Sequence, residues 1–289
     1  MKGISYIIVF GGVLFLQCKK KQDNIHPEIR GINFDLLLKT VDIYPDGKST
    51  TTYLYNNSKQ LIRENSVRNF TDGTKWEVVN NWYRSSGIQI DSMTSQFTYG
   101  TTPTSIQKQY YHYDASGSLL YSIFFRNANS PIASVDSCVF IYSGDRIIKR
   151  LDYTSAPSTI LTNTLTHEMF YEYDAAKNIS AITFVNYDFS DGVPPKKDTV
   201  SLTYSYDKQK NPYYQTEAFY TYFVNLAFEN YTSQNNIVEI IYKGSSTSND
   251  KDEFSFQYND ANKPAKLLVT SFEVGSTRPV IWTTEYYYD

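Results

Sequence analysis

A tyrosine-rich segment returns along this chain about every 29 residues. Aligned on its closing tyrosine, the series runs Tyr55, Tyr83, Tyr113, Tyr142, Tyr173, Tyr206, Tyr231, Tyr258 and Tyr288. Successive gaps are 28, 30, 29, 31, 33, 25, 27 and 30 residues. Six of the nine carry an apolar residue or proline six positions on: Leu61, Leu119, Ile179, Pro212, Ile237 and Pro264. A repeat that covers most of a chain restricts it to architectures in which one module pairs with copies of itself.

The module is a hairpin. Asp114, Asp174 and Asp207 directly follow the tyrosine, where a carboxylate accepts a backbone N–H two residues on and starts a turn. Gly117, Asn178, Asn211, Asn236 and Asn262 come four or five residues after the tyrosine or turn start, and these residue types tolerate the positive φ of a short hairpin. Strand then resumes in stretches such as "LLYSIFF" and "ISAITFVNY". Loops rich in Pro, Ser, Asn and Asp separate the units. Two strands per period over eight or so units predict an all-β fold. The expected form is an antiparallel hairpin-repeat meander of about 16 strands in a curved or coiled single sheet. Side-chain alternation puts Tyr53/Tyr55, Tyr111/Tyr113, Phe140/Tyr142, Tyr171/Tyr173, Tyr204/Tyr206 and Trp282/Tyr286/Tyr288 on one face as aromatic ladders.

One stretch departs from period two. Phe219, Tyr222, Phe223 and Leu226 recur at three- and four-residue steps, which predicts a single inserted helix over 216–229, lying on or plugging the sheet.

The unit Tyr111-His112-Tyr113-Asp114-Ala115-Ser116-Gly117-Ser118-Leu119 resembles the YD repeat of RHS-type proteins, whose hairpins coil into a shell. Asn211-Pro212-Tyr213 followed by Ser233-Gln234-Asn235-Asn236-Ile237 is similar to YD-repeat-like cell-envelope lipoproteins of the Bacteroidetes. The resemblance covers residues 40 to 289 and brings no catalytic residues with it.

The first residues carry an address. Lys2 precedes a mostly apolar run from Ile4 to Leu16, and Cys18 follows. Thirteen helical residues reach about 20 Å, short of the roughly 30 Å hydrocarbon core, so the segment reads as a secretory signal rather than a spanning anchor. Phe15-Leu16-Gln17-Cys18 resembles a lipobox, which implies lipidation of Cys18 and attachment to a membrane by acyl chains. The expected organisation is a lipoprotein-type signal at 1–18, a polar tether at 19–33 and one β-repeat domain at 34–289. Lys19-Lys20-Lys21 after the cysteine favours the periplasmic side of the outer membrane over the cell surface.

Composition excludes more than it assigns. Formal net charge is −3, from 27 basic and 30 acidic residues that are well mixed, so no basic stripe offers itself to a nucleic acid. The three histidines, His26, His112 and His167, lack metal-ligand spacing, and no cofactor motif occurs. Cys138 lies on an apolar strand and reads as a small core hydrophobe. No catalytic constellation is visible, which predicts a protein that is not an enzyme.

The strongest binding signal is "WEVVNNW". Trp76 and Trp82 share one strand face, opposite Tyr83 and therefore opposite the repeat ladder. Two indoles some 20 Å apart could serve as sugar-stacking platforms. The competing reading buries both beneath a loop or helix. The sequence thus points first to a lipid-anchored, non-enzymatic scaffold or binding protein of the cell envelope, taking a glycan or protein ligand. An envelope glycan or peptidoglycan hydrolase with an unidentified acid pair is one alternative. An outer-membrane β-barrel is the other, because sixteen antiparallel strands is a plausible barrel number.

Overall fold

The computed structural model describes residues 36–85, 89–100, 102–126, 134–155, 163–189, 195–213, 233–244, 250–272 and 278–288. The chain divides into units Met1–Ile32 and Asn33–Asp289, and every described residue belongs to the second. Its strands are β1 (Leu37–Tyr44), β2 (Gly47–Tyr55), β3 (Leu61–Phe70), β4 (Lys75–Tyr83), β5 (Ser92–Tyr99), β6 (Thr102–Tyr113), β7 (Leu119–Phe125) and β8 (Val135–Ser143). They continue as β9 (Arg146–Ser155), β10 (Thr164–Tyr173), β11 (Ile179–Asp188), β12 (Lys196–Lys210), β13 (Asn235–Gly244), β14 (Lys251–Tyr258), β15 (Pro264–Phe272) and β16 (Val280–Tyr288).

Each strand pairs antiparallel with its neighbours in sequence, and β1 pairs with β16 from Leu37↔Tyr288 to Ile43↔Thr283. The sheet is therefore a closed sixteen-strand barrel. This corrects the expectation of a curved or coiled single sheet with free edges. The physical reason is the seam: the two would-be edge strands satisfy each other's backbone groups, and closure alone removes edges altogether. No helix occurs among the described residues, so an inserted helix is no part of this fold as described. The segment 216–229 itself lies outside the described residues.

The hairpins of one rim explain the repeat. Tyr55↔Leu61, Tyr113↔Leu119, Tyr142↔Ile147, Tyr173↔Ile179, Tyr206↔Ile237 and Tyr258↔Pro264 each close a hairpin at a β-bulge. The bulge turns the closing tyrosine and the first residue of the returning strand into the barrel together. That returning residue is buried in every case. Asp114, Asp174, Asn56 and Asn259 accept backbone N–H groups inside their turns at 2.8–3.0 Å. Positive φ falls on Lys59, Gly117, Lys177 and Asn262. Asn178, expected in that conformation, is instead 2% exposed and donates to Asp174 and Asn235. Ile237, assigned to a unit headed by Tyr231, closes the unit of Tyr206. The chain from 211 to 234 is an insertion into that turn, anchored by Asn211 Nδ2 donating to the Ser233 carbonyl and by the fully buried Ser233.

The closing tyrosines also fasten neighbouring hairpins. Tyr55 donates its hydroxyl to the Leu37 carbonyl, Tyr113 to Ile90, Tyr142 to Leu119, Tyr173 to Ile147 and Tyr206 to Ile179, at 2.6–3.0 Å. In each case the acceptor is the residue at or beside the start of the preceding strand. Strands β1 and β2, or β7 and β8, have no hairpin between them at this rim, so the phenol takes the place of a covalent turn. At β4 the ladder slips. Tyr83 is half-exposed on the outer face, and Arg84 donates to the Leu61 carbonyl at 3.0 Å in its stead.

Apolar packing runs round the inside of the tyrosine rim. One cluster is built on Ile179, Ile182, Leu202 and Ile240, a second on Leu61, Trp82, Ile90 and Met93, and a third on Leu37, Leu267, Val269 and Tyr286. Phe140 joins the first to the second, Tyr53 the second to the third, and Phe254 the third to the first. The core is thus a ring that follows the wall.

Candidate functional site: the inner wall towards the second rim

Alternate residues of a strand share a face, and the buried set fixes which face is inner. Above the apolar ring the inner wall becomes polar. Asn80 Nδ2 donates to Glu64 Oε1 at 3.2 Å, and Ser95 Oγ donates to Asn80 Oδ1 at 2.5 Å, linking β3, β4 and β5. Burial pushes the Glu64 carboxyl up to about 7, and the Asn80 bond opposes this only in part. Arg150 grips Asp152 through two bonds of 2.7 and 2.9 Å. The pair is desolvated, and the Asp152 carboxylate holds the guanidinium protonated against that burial. Cys138, beside them and 1% exposed, is a free thiol raised well above its usual range by burial, which suits packing rather than reactivity. His167 faces inward next to Asp152 and against Phe184, and desolvation keeps its pKa below the ordinary imidazole value.

One sector of the second rim differs. The connections from β1 to β2, β3 to β4 and β5 to β6 are short, and Gly73 and Gly100 supply the positive φ that two of them need. Beneath them five aromatic side chains face the interior: Trp282, Tyr44, Phe70, Trp76 and Tyr99. Register puts Arg68 between Ser49 and Trp76, and Trp76 beside Tyr99. Trp282 stacks on Tyr44 with centroids 6.1 Å apart. The Arg68 guanidinium lies over Tyr44 at 4.3 Å and Phe70 at 4.7 Å, and Nη2 pairs with Asp46 at 2.8 Å. Gly47 sits between Tyr44 and Phe70, and a methyl there would meet the Asn69 carbonyl at 2.3 Å. Asp42 accepts from Thr284 Oγ1 at 2.5 Å, and burial raises its pKa.

The two tryptophans singled out from sequence both belong to β4 and both face inward, on the ladder face rather than opposite it. The slip at Tyr83 accounts for the difference. Trp82 is 4% exposed within the second apolar cluster, and its Nε1–H has no partner among the described residues. Trp76 is half-buried near the short turns. The structure therefore does not bring the pair together; it joins Trp76 to Tyr44, Arg68, Phe70 and Trp282. Of these, Trp282 was legible as a ladder residue, whereas Tyr44, Arg68 and Phe70 carried no repeat signal. Cys18 lies outside the described residues. No group of three metal-ligating side chains occurs among the described residues.

No family model matches the chain, and no curated protein matches it. Solved structures do. A porin-like protein from Bacteroides uniformis ATCC 8492 superposes with a TM-score of 0.54 at 10% identity, covering 87% of this chain and 96% of that one. The barrel fold is porin-like. A porin-like protein from Bacteroides vulgatus ATCC 8482 gives a TM-score of 0.49 at 12% identity, covering 89% of this chain and 99% of that one.

The outer face carries its own information. On β2 to β5 it presents Lys48, Thr50, Thr52, Arg63, Asn65, Lys75, Glu77, Asn81, Thr94 and Gln96, with Leu54, Val67, Val79 and Tyr83 among them. On β11 to β14 it presents Thr183, Lys197, Thr199, Ser201, Thr203, Glu239, Lys243, Glu253, Ser255 and Gln257, with Val185, Tyr187 and Ile241 among them. Ion pairs lie along it: Lys149–Glu168 at 2.7 Å, Lys251–Glu239 at 2.7 Å and Lys75–Glu77 at 3.1 Å. A lipid-facing barrel wall requires a continuous apolar band, because a charge at the bilayer midplane costs about 2–4 kcal/mol.

Proposed function

We propose that this protein is a non-enzymatic binding protein of the cell envelope whose barrel stands in water and takes its ligand on the inner wall. The observation that carries the reading is the outer wall, on which charged and hydroxyl or amide side chains predominate over at least two broad sectors. A membrane requires a continuous apolar band on that face. Attachment to the membrane falls to the N-terminal segment, through lipidation at Cys18. The likeness of residues 211–213 and 233–237 to envelope lipoproteins of the Bacteroidetes supports that assignment.

A second reading has a specific observation behind it. The fold is shared with porin-like proteins, and the outer faces of β7 and β8 carry Tyr121, Ile123, Phe125, Val135, Val139 and Ile141, with no charge among them. A spanning barrel needs such a surface all round, and the two polar sectors interrupt it. Expression of the chain from Lys19 onward separates the readings. The water-facing barrel stays monodisperse in detergent-free buffer with its β-type circular dichroism intact. Aggregation that only detergent or bilayer reverses would return the protein to the spanning class.

A further inference from the structure

We infer that the aromatic sector beneath the short turns is a binding site for neutral glycan chains, with Trp76 and the stacked pair Tyr44/Trp282 as sugar platforms and Arg68 as the central donor. The inference rests on the reading of a binding protein that takes its ligand on the inner wall.

Three features of the sector argue for a carbohydrate. First, its aromatic rings are only half covered, although Trp282 also packs against the third apolar cluster and Tyr44 contacts both Trp282 and Arg68. Trp76, Tyr44, Phe70 and Trp282 are half-buried, and Tyr99 is 55% exposed at the rim. Trp82, on the same face of the same strand, is fully packed. Half-covered rings on a concave wall offer flat faces to the C–H surface of a sugar, while polar edges stay near water.

Second, the polar groups between the rings suit hydroxyls. Asp42 and Asp46 accept, and Arg68 donates. The guanidinium is held flat by Tyr44 and Phe70, and its buried Nε–H has no hydrogen-bond partner among the described residues. A buried N–H left without an acceptor is costly, and a ligand oxygen laid against this one would remove that cost. Two carboxylates beside one guanidinium leave no excess positive charge, which disfavours an anionic polymer and suits a neutral one.

Third, the connections beside the site are short. The connections over β1–β2, β3–β4 and β5–β6 are the short ones of this rim, whereas those after β7, β9, β11, β13 and β15 are longer. The span from Trp282 to Trp76 crosses β1, β2 and β3, four strand spacings or roughly 19 Å, the length of several sugar rings.

The test uses the full chain in mild detergent, with tryptophan emission and native gels containing polysaccharide as two readouts. The probes are soluble β-glucan, α-glucan, xylan and mannan, their oligosaccharides, and polygalacturonate as the charged comparison. At least one neutral glycan should shift the emission and retard the protein. Trp76→Ala and Trp282→Ala should each weaken that binding tenfold or more. Trp82→Phe should leave it unchanged, since that indole lies outside the site. Should an alanine variant misfold by circular dichroism, Trp76→Phe and Arg68→Gln take its place, with a loss of at least threefold expected from each. Binding of the charged polymer alone, no response to any neutral glycan, or binding indifferent to Trp76, Trp282 and Arg68 would each overturn the inference. None of those results touches the water-facing barrel, which stands or falls by its behaviour without detergent.

Discussion

In Tyr55, Tyr113, Tyr142, Tyr173 and Tyr206 each phenol does two jobs with one side chain. Its ring fills the apolar ring of the core, and its hydroxyl satisfies a carbonyl at the start of the preceding strand. Removing only the hydroxyl separates them. Tyr142→Phe or Tyr173→Phe should cost about 1–2 kcal/mol, because the bond is lost and a half-buried carbonyl is stranded. For a unit of this size that is a fall of roughly 2–6 °C in thermal midpoint by circular dichroism. Tyr83→Phe, on the outer face, should change stability by less than about 0.5 kcal/mol. Glu64 supplies a residue-scale pH dependence. Its carboxyl titrates near 7 in the folded chain and near the ordinary value of 4.5 in the unfolded one. Between these values the folded state holds a proton that the unfolded state has released, so stability falls as pH rises through the window. The loss approaches about 3 kcal/mol above pH 7 as an order of magnitude. Glu64→Gln, which can still accept from Asn80, should flatten the curve and melt above the parent at pH 8.

At the scale of the hairpin, the turn chemistry was legible because it is local. A carboxylate or amide after the tyrosine and a buried aliphatic residue on the returning strand are written next to each other, and the structure pairs them in register. Positive φ falls on Gly117 and Asn262 as expected, but after Tyr173 it falls on Lys177, one residue before Asn178, and after Tyr55 on Lys59, which carried no such signal. Lys59 and Lys177 occupy left-handed backbone that costs a side chain about 1–2 kcal/mol. Lys177→Gly should therefore be neutral or stabilising by up to about 1 kcal/mol. Gly117→Ala, at φ 89°, should destabilise by about that amount. Chemical denaturation midpoints read both. The insertion from 211 to 234 misled the spacing argument for a different reason. Tyr231 falls near the period by arithmetic, but register is decided by which residue meets Tyr206, and that is Ile237.

For the molecule as a whole, strand number and order were readable from hairpins in series, whereas closure was not. It depends on β1 meeting β16, a contact such as Thr284 with Asp42 that spans 242 residues, and nothing in either segment names the other. The inner aromatic sector was hidden by the same limit. Tyr44, Trp282 and Trp76 come from opposite ends and an early part of the chain, and only the seam makes them neighbours. The phase slip at Tyr83 compounded this by assigning Trp76 to the wrong face. Loss of the last strand tests the point. A chain ending at residue 279 should lose its cooperative melt and associate, since two unpaired edges then face solvent.

That seam also sets a timetable. A chain that crosses a membrane from its N-terminus delivers β1 first and its only seam partner last, so the opening edge waits, uncapped, through the arrival of fifteen further strands. Until then every partial sheet can recruit strands from other molecules. On the proposed export route the barrel would need its strand edges shielded until Tyr288 emerges to face Leu37.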